Sequence, residues 1–117
     1  MNTIMPDGGV LSTSADRLSA AVIKHGACVG SPNPDDWFPP EPDHYTQESA
    51  RARRRYEEHA RRLCSGCPVQ LQCLEYALRI ESSMPLTWIH GIFGGTAPWQ
   101  RARIIRYRRR AAMRKVG

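Results

Sequence analysis

Four cysteines limit what this 117-residue chain can fold into, and their spacing is Cys28-x35-Cys64-x2-Cys67-x5-Cys73. With 41% apolar residues, nine glycines and nine prolines, the chain can build only a small hydrophobic core. Such a core often needs additional stabilisation from disulfides or a bound metal. The longest aliphatic run, Ala20–Ile23, excludes a membrane span and is too short for a secretory signal. We therefore expect a cytoplasmic protein, and in that reducing compartment clustered thiols favour metal or redox chemistry over disulfides.

Helix geometry restricts how the clustered cysteines can meet one metal centre. Positions six apart on a helix point about 240° apart, so Cys67 and Cys73 cannot both be helical and face the same centre. Pro68 suits the first turn of a helix, which places Cys67 in the turn before it. Cys64 then closes the preceding helix, and Cys28 must approach from a distant segment.

This arrangement suits a 4Fe-4S cluster, which takes one thiolate at each corner of its cubane. Free N–H groups at the start of the following helix would stabilise the anionic cluster. Two alternatives stay open here. One is a structural zinc module, although a zinc ribbon normally has two close cysteine pairs. The other is a thiol-disulfide oxidoreductase that uses Cys64 and Cys67, although such enzymes show a βαβ context that is absent from this sequence.

Apolar periodicity predicts an all-α domain of about four helices. Ser14 and Gly26 are expected to start and end the first helix, residues 15–25. The second helix is expected over residues 46–64, and the third from Pro68 to about Glu81. The third helix should turn five residues inward: Val69, Cys73, Tyr76, Ala77 and Ile80.

Proline and glycine punctuate the remaining segments. Five prolines in residues 32–42 exclude a helix there and predict a stiff, extended loop. Residues 91–95, Gly-Ile-Phe-Gly-Gly, predict a turn, and Thr96 with Pro98 predicts the start of a last, basic helix.

Charge is distributed unevenly along the chain. The net charge is +6, but eight basic residues and no acid follow Gln100, so residues 1–100 carry −2. We therefore divide the chain into a poorly ordered lead-in (1–13), a helical cluster-binding and partner-binding domain (14–100) and a basic DNA-binding tail (101–117). Because apolar residues interleave with the arginines but are too few for a membrane anchor, DNA is the expected ligand of the tail. The expected DNA contacts are Arg101, Arg103, Arg106, Arg108, Arg109, Arg110, Arg114 and Lys115.

The second predicted helix is also rich in arginine, at Arg51, Arg53–Arg55, Arg61 and Arg62. We interpret these residues as a solvated helix face partly balanced by Glu57 and Glu58, in preference to a second nucleic-acid surface.

The run Cys64-Ser65-Gly66-Cys67-Pro68-Val69, followed by Cys73-Leu74, Tyr76-Ala77-Leu78, the 91–95 turn and an Arg-rich tail, resembles the WhiB-like (Wbl) family of actinobacteria and their phages. Cys28 and Asp36-Trp37-Phe38-Pro39 also fall where that family has its first ligand and an acidic-aromatic-proline segment. The resemblance covers roughly residue 28 to the C-terminus.

This resemblance implies a transcription regulator without catalytic residues, not an enzyme. Its 4Fe-4S cluster would be bound by Cys28, Cys64, Cys67 and Cys73 and would be sensitive to nitric oxide and oxygen. The protein would dock as a monomer on the C-terminal DNA-binding region of the principal sigma factor of RNA polymerase, and would contact promoter DNA through the tail.

The partner surface is expected to combine the aromatic loop with the glycine turn. Two features depart from the family pattern: Phe93 stands where the turn usually has Trp, and the segment Ser82–His90 is longer than expected. We expect Trp88 in this segment to pack on the cluster helices rather than to replace the missing indole. The predicted partner-binding residues are Trp37, Phe38, Pro39, Gly91, Ile92, Phe93, Gly94 and Gly95.

Overall fold

The computed structural model describes residues 9–43 and 46–116. These residues form four α-helices: α1 (Ala15–His25), α2 (Gln47–Cys64), α3 (Gln70–Glu81) and α4 (Pro98–Val116). No strand occurs in this part of the chain, and an isolated bridge pairs Phe93 with Thr96. The predicted all-α fold with about four helices is confirmed. None of the helices in the described ranges is long and apolar enough to cross a membrane.

Local capping explains where the first two helices begin and end. The Ser14 hydroxyl accepts a hydrogen bond from the Arg17 N–H at 3.2 Å, and Gly26 ends α1 as expected. At the start of α2, Thr46 and Ser49 cap each other reciprocally, with the Ser49 N–H donating to Thr46 Oγ1 at 2.9 Å. Each such cap satisfies N–H groups that the helix itself leaves unpaired.

The proline-rich segment is not extended throughout, because Pro34–Trp37 forms a 3-10 turn. The Trp37 carbonyl accepts a hydrogen bond from the Ile92 N–H at 2.7 Å, which ties this loop to the glycine turn. Trp37 also packs against the core of α2, so the loop is attached to the domain at its aromatic residues.

The core of the described residues consists of two clusters. The first joins α2 to the glycine turn through Tyr56, Ala60, Cys64, Ile92 and Ala97. The second joins α3 to α4 through Leu78, Ile89, Ala102 and Ile105.

Two expectations about the core change with this packing. Ile80, which we predict to face the core, is 46% exposed. Leu78 is buried instead, with an exposure of 2%. The domain boundary predicted at residue 100 falls inside α4, whose Ala102 and Ile105 belong to the helical core.

Glu75 links three parts of the chain from a buried position on α3. Its carboxylate accepts hydrogen bonds from Arg79 at 3.0 Å and from Arg108 of α4 at 2.7 and 3.1 Å. Burial raises the pKa of Glu75, but the hydrogen bonds and positive charges of the two arginines outweigh it and hold the pKa below its usual value. Arg79 also donates to three carbonyls of the N-terminal segment, those of Val10, Leu11 and Thr13.

The expected disorder of the lead-in is therefore wrong for residues 9–13. Val10–Ser12 forms a 3-10 turn and Thr13 is buried. The rest of the predicted lead-in, residues 1–8, lies outside the described residues.

Candidate metal centre

The four cysteines line a single cavity. Cys64 is the last residue of α2, Cys67 lies in the turn, Cys73 lies in the first turn of α3, and Cys28 follows α1. All four are free thiols. The other walls of the cavity are mainly apolar, from Val22, Trp37, Ile92 and Phe93. The structure thus brings together the cysteines that their spacing predicts as one ligand set.

Backbone N–H groups are directed at three of the four sulfurs. The Ala27 N–H donates to Cys67 Sγ at 3.4 Å. The glycine turn supplies two more donors, from Gly94 to Cys73 and from Gly95 to Cys64. Hydrogen bonds to a charged acceptor are stronger than those between neutral groups, so these donors favour sulfur in its thiolate form.

The turn can make these bonds only because it is built from glycine. Gly94 and Gly95 have φ angles of +58° and +75°, a region that side chains disfavour. A Cβ at Gly94 would also stand 2.4 Å from Leu74 Cβ, and one at Gly95 would stand 2.5 Å from Gln70 Nε2. The glycines therefore allow the turn to approach α3 closely enough to reach both sulfurs.

Thiolates at this site would repel one another unless a cation lies between them. Burial raises the pKa of Cys73 to about 11, against the lowering effect of the Gly94 hydrogen bond, and the charges of the other three cysteines raise it further. Burial likewise raises the pKa of Cys64, and the Gly95 hydrogen bond offsets part of that rise. A bound metal group would replace the thiol protons and remove this repulsion.

Trp37 provides an independent test of whether a polar group fits the cavity. Its indole N–H is buried and has no hydrogen-bond partner among the described residues, although its side chain lines the cavity. A buried donor without an acceptor is costly, and an anionic cluster would offer one. The residues present therefore fit a cluster with sulfur acceptors.

The predicted partner-binding residues separate into two groups. Ile92 and the glycines Gly91, Gly94 and Gly95 are buried, and Trp37 and Pro39 are half-buried. Phe38, by contrast, is 59% exposed and meets the half-buried Phe93 edge to face, with ring centroids 6.2 Å apart.

The two phenylalanines belong to an apolar groove beside the cysteine cavity, which we call the aromatic groove. It is also lined by Cys28, Cys73, Tyr76, Ile80, Met84 and Trp88. Trp88 is 65% exposed, so the expectation that it packs on the cluster helices is wrong. Two features of the sequence had drawn attention to Trp88: the segment 82–90 is longer than expected for the family, and the glycine turn lacks its usual Trp.

The basic residues of α4 also separate into two groups. Arg101 has a side chain with no exposure at all and bonds to Glu81, so its assignment as a DNA contact is wrong. Arg108 binds Glu75, and Arg109 donates to the carbonyls of Ser82 and Met84. The exposed basic residues without such bonds in the described chain are Arg103, Arg106, Arg110, Arg114 and Lys115.

Helical geometry places the four free arginines on one face. Their spacings of three and four residues keep them within about 80° of one another around α4. Arg101 and Arg108 point to the opposite side, where the helix meets the core. Sequence reasoning missed this division because an arginine in a basic run carries no local sign of burial.

A family model described as transcription factor WhiB matches residues 23–104. This range contains the four cysteines, the proline-rich loop, the glycine turn and the first part of α4. Searches of curated proteins and of solved structures gave no match. The family match covers well over half of the chain, and the chain therefore belongs to the WhiB family of transcription factors.

Proposed function

We propose that the protein is a transcription regulator whose four cysteines hold a 4Fe-4S cluster. The observation that carries this proposal is the convergence of Cys28, Cys64, Cys67 and Cys73 on one cavity into which backbone N–H groups donate. When bound, the cluster would supply a centre that reacts with nitric oxide and oxygen. The protein's own residues supply the four ligands, the hydrogen bonds to sulfur and the apolar walls.

The spacing of the cysteines in the sequence favours a cluster over a single zinc ion, because the chain has only one close Cys-x2-Cys pair. A tetrahedral zinc site with Zn–S distances of about 2.3 Å requires sulfurs about 3.8 Å apart. Within the described residues, no three His, Cys, Asp or Glu side chains are arranged to hold one metal ion. A cubane cluster binds each thiolate at a different iron, so its ligands stand farther apart.

The thiol-disulfide oxidoreductase is the weaker alternative. Its attacking thiol should be accessible and have a lowered pKa. Cys64 is instead buried with a raised pKa, which suits a ligand better than a nucleophile.

We infer that the aromatic groove is the docking surface for the principal sigma factor. Phe38 and Trp88 are exposed aromatics that line this groove together with Phe93, and exposed aromatic anchors often dominate binding energy. Because Cys28 and Cys73 also line the groove, a partner seated there would cover part of the cluster cavity. Occupancy of the groove and access to the cluster are thereby coupled.

The solvent face of α4 is the proposed contact with promoter DNA. The four arginines on this face are free to meet phosphates, and four such contacts correspond to a slope of log K against log salt of about −3.6, whereas Lys115 projects about 100° away from Arg114. This is fewer contacts than the eight basic residues of the sequence suggest, because Arg101, Arg108 and Arg109 are engaged within the protein.

Replacement of single ligands tests the proposal. Cys28→Ser and Cys73→Ser should each lose bound iron and weaken binding to the sigma region in anaerobic titrations. Ser65→Ala changes an exposed residue of the turn that contains Cys67 and serves as the matched control, which should keep both properties. Full iron content in the Cys28→Ser protein would contradict the four-cysteine assignment.

A further inference from the structure

A second arginine face lies on α2. Arg51, Arg54, Arg55, Arg61 and Arg62 are all exposed. At about 100° per residue, these five positions fall within about a third of the helix circumference. Arg51, Arg55 and Arg62 are nearly aligned, and the line from first to last is about 16 Å long. We call these five residues the α2 arginine face.

The α2 arginine face has no partner within the described protein. None of its five guanidinium groups makes an ion pair or a hydrogen bond there. Arg53, which points elsewhere, does bond, to the Asp43 carbonyl and to Ser49. The five unpaired arginines therefore differ from Arg53, whose hydrogen bonds stabilise the fold.

The acids expected to balance these arginines do not do so. Glu57 accepts a hydrogen bond from the Trp99 indole of α4 at 2.6 Å, so its carboxylate is directed toward α4. Glu58 lies on the arginine face itself and is exposed, but it makes no ion pair in the described residues. The interpretation of this helix as a charge-balanced solvated face is thus not supported by its contacts.

We propose that the α2 arginine face is a second contact with the DNA backbone, separate from α4. Like charges three and four positions apart repel, and a row of phosphates would relieve that repulsion. One guanidinium group can donate two parallel hydrogen bonds to a phosphate. The α2 arginine face is long enough to reach several phosphates of one strand. The contact is sequence-independent, since phosphates position a protein without identifying bases. The proposal rests on the proposed DNA-binding function only in that duplex DNA is chosen as the probe.

The test compares the wild-type protein with four variants, all loaded with the cluster, on a promoter duplex and on a duplex of equal length and scrambled sequence, over a range of salt concentrations. Arg51→Gln with Arg55→Gln removes two charges from α2. Arg106→Gln with Arg110→Gln removes two from α4. Arg17→Gln with Lys24→Gln removes two exposed charges from α1 and controls for net charge. Iron content and far-UV circular dichroism confirm that each variant is folded.

The α2 variant should bind both duplexes more weakly, by about 60-fold at 0.1 M salt, with a slope lower by about 1.8. The α1 control should keep the wild-type slope. Glu58→Gln, which removes the one negative charge on the face, should strengthen binding. If the α2 variant matched the α1 control, the second contact would be refuted, while a loss in the α4 variant alone would leave the proposed α4 contact standing. A loss in the α2 variant with an unaffected α4 variant would contradict the α4 proposal instead. A loss on the promoter but not on the scrambled duplex would refute the backbone contact.

Discussion

Arg101→Ala should destabilise the protein more than any other single arginine substitution in α4. The Arg101 guanidinium makes five hydrogen bonds: one to Glu81 at 2.8 Å, two to Thr96 and one each to the carbonyls of His90 and Gly91. It also lies 5.1 Å from the centre of the Phe93 ring. This one side chain thus connects α3, the glycine turn and α4.

The magnitude follows from what the substitution leaves behind. Both Arg101 and Glu81 are buried, with side-chain exposures of 0% and 7%, so removal of the arginine leaves a buried carboxylate without its partner. Breaking a buried pair in this way costs about 3–5 kcal/mol. For a domain of this size that corresponds to a fall in the unfolding midpoint of about 12–30 °C.

The assay is anaerobic thermal unfolding of the cluster-loaded protein, followed by far-UV circular dichroism. Arg103→Ala, on the exposed face of the same helix, is the matched control and should leave the midpoint nearly unchanged while weakening DNA binding. Replacing both partners, Arg101→Met with Glu81→Met, should recover much of the loss because no charge is then left buried. An unchanged midpoint in Arg101→Ala would refute the reasoning.

Four further outcomes are expected. Because the pKa of Glu75 is lowered in the folded state, the ionised carboxylate stabilises the protein fully above the unfolded-state pKa of about 4.5, and this stabilisation is lost as pH falls through the folded-state pKa. Glu75→Gln should therefore lower the free energy of unfolding at pH 7. It should also reduce the dependence of that free energy on pH in the acid range. Gly94→Ala should lose bound iron, whereas Gly66→Ala, with open space around its added Cβ, should keep it when both are assayed for iron. Trp37→Phe should keep the cluster but shift its reduction potential downward in a spectroscopic redox titration, because one hydrogen-bond donor is lost. Trp88→Ala should weaken sigma-region binding by about 2 kcal/mol in calorimetry with iron content unchanged.

The cysteine set could be predicted because its geometry follows from short-range rules. Cys67 and Cys73 cannot share a helix face, and Pro68 lies just ahead of α3, so the turn had to contain Cys67. The helix ends were equally local, since Ser14 and Gly26 cap α1 through contacts with residues a few positions away. Such features depend on little beyond the neighbouring sequence.

The division of α4 depends on long-range contacts and could not be predicted in the same way. Arg101 is buried because its guanidinium pairs with Glu81, and Arg108 is held against α3 because its guanidinium pairs with Glu75. Trp88 was misplaced for the same reason, since exposure depends on whether a distant partner covers the ring. The Arg79 contacts that order residues 9–13 also join positions more than sixty apart.

The most direct test of the central claim is the iron and acid-labile sulfide content of anaerobically purified protein, measured together with its visible spectrum. The account predicts about four irons and four sulfides per chain and a thiolate-to-iron absorption band that nitric oxide bleaches. One zinc per chain with no sulfide, or four free thiols with no metal, would contradict it.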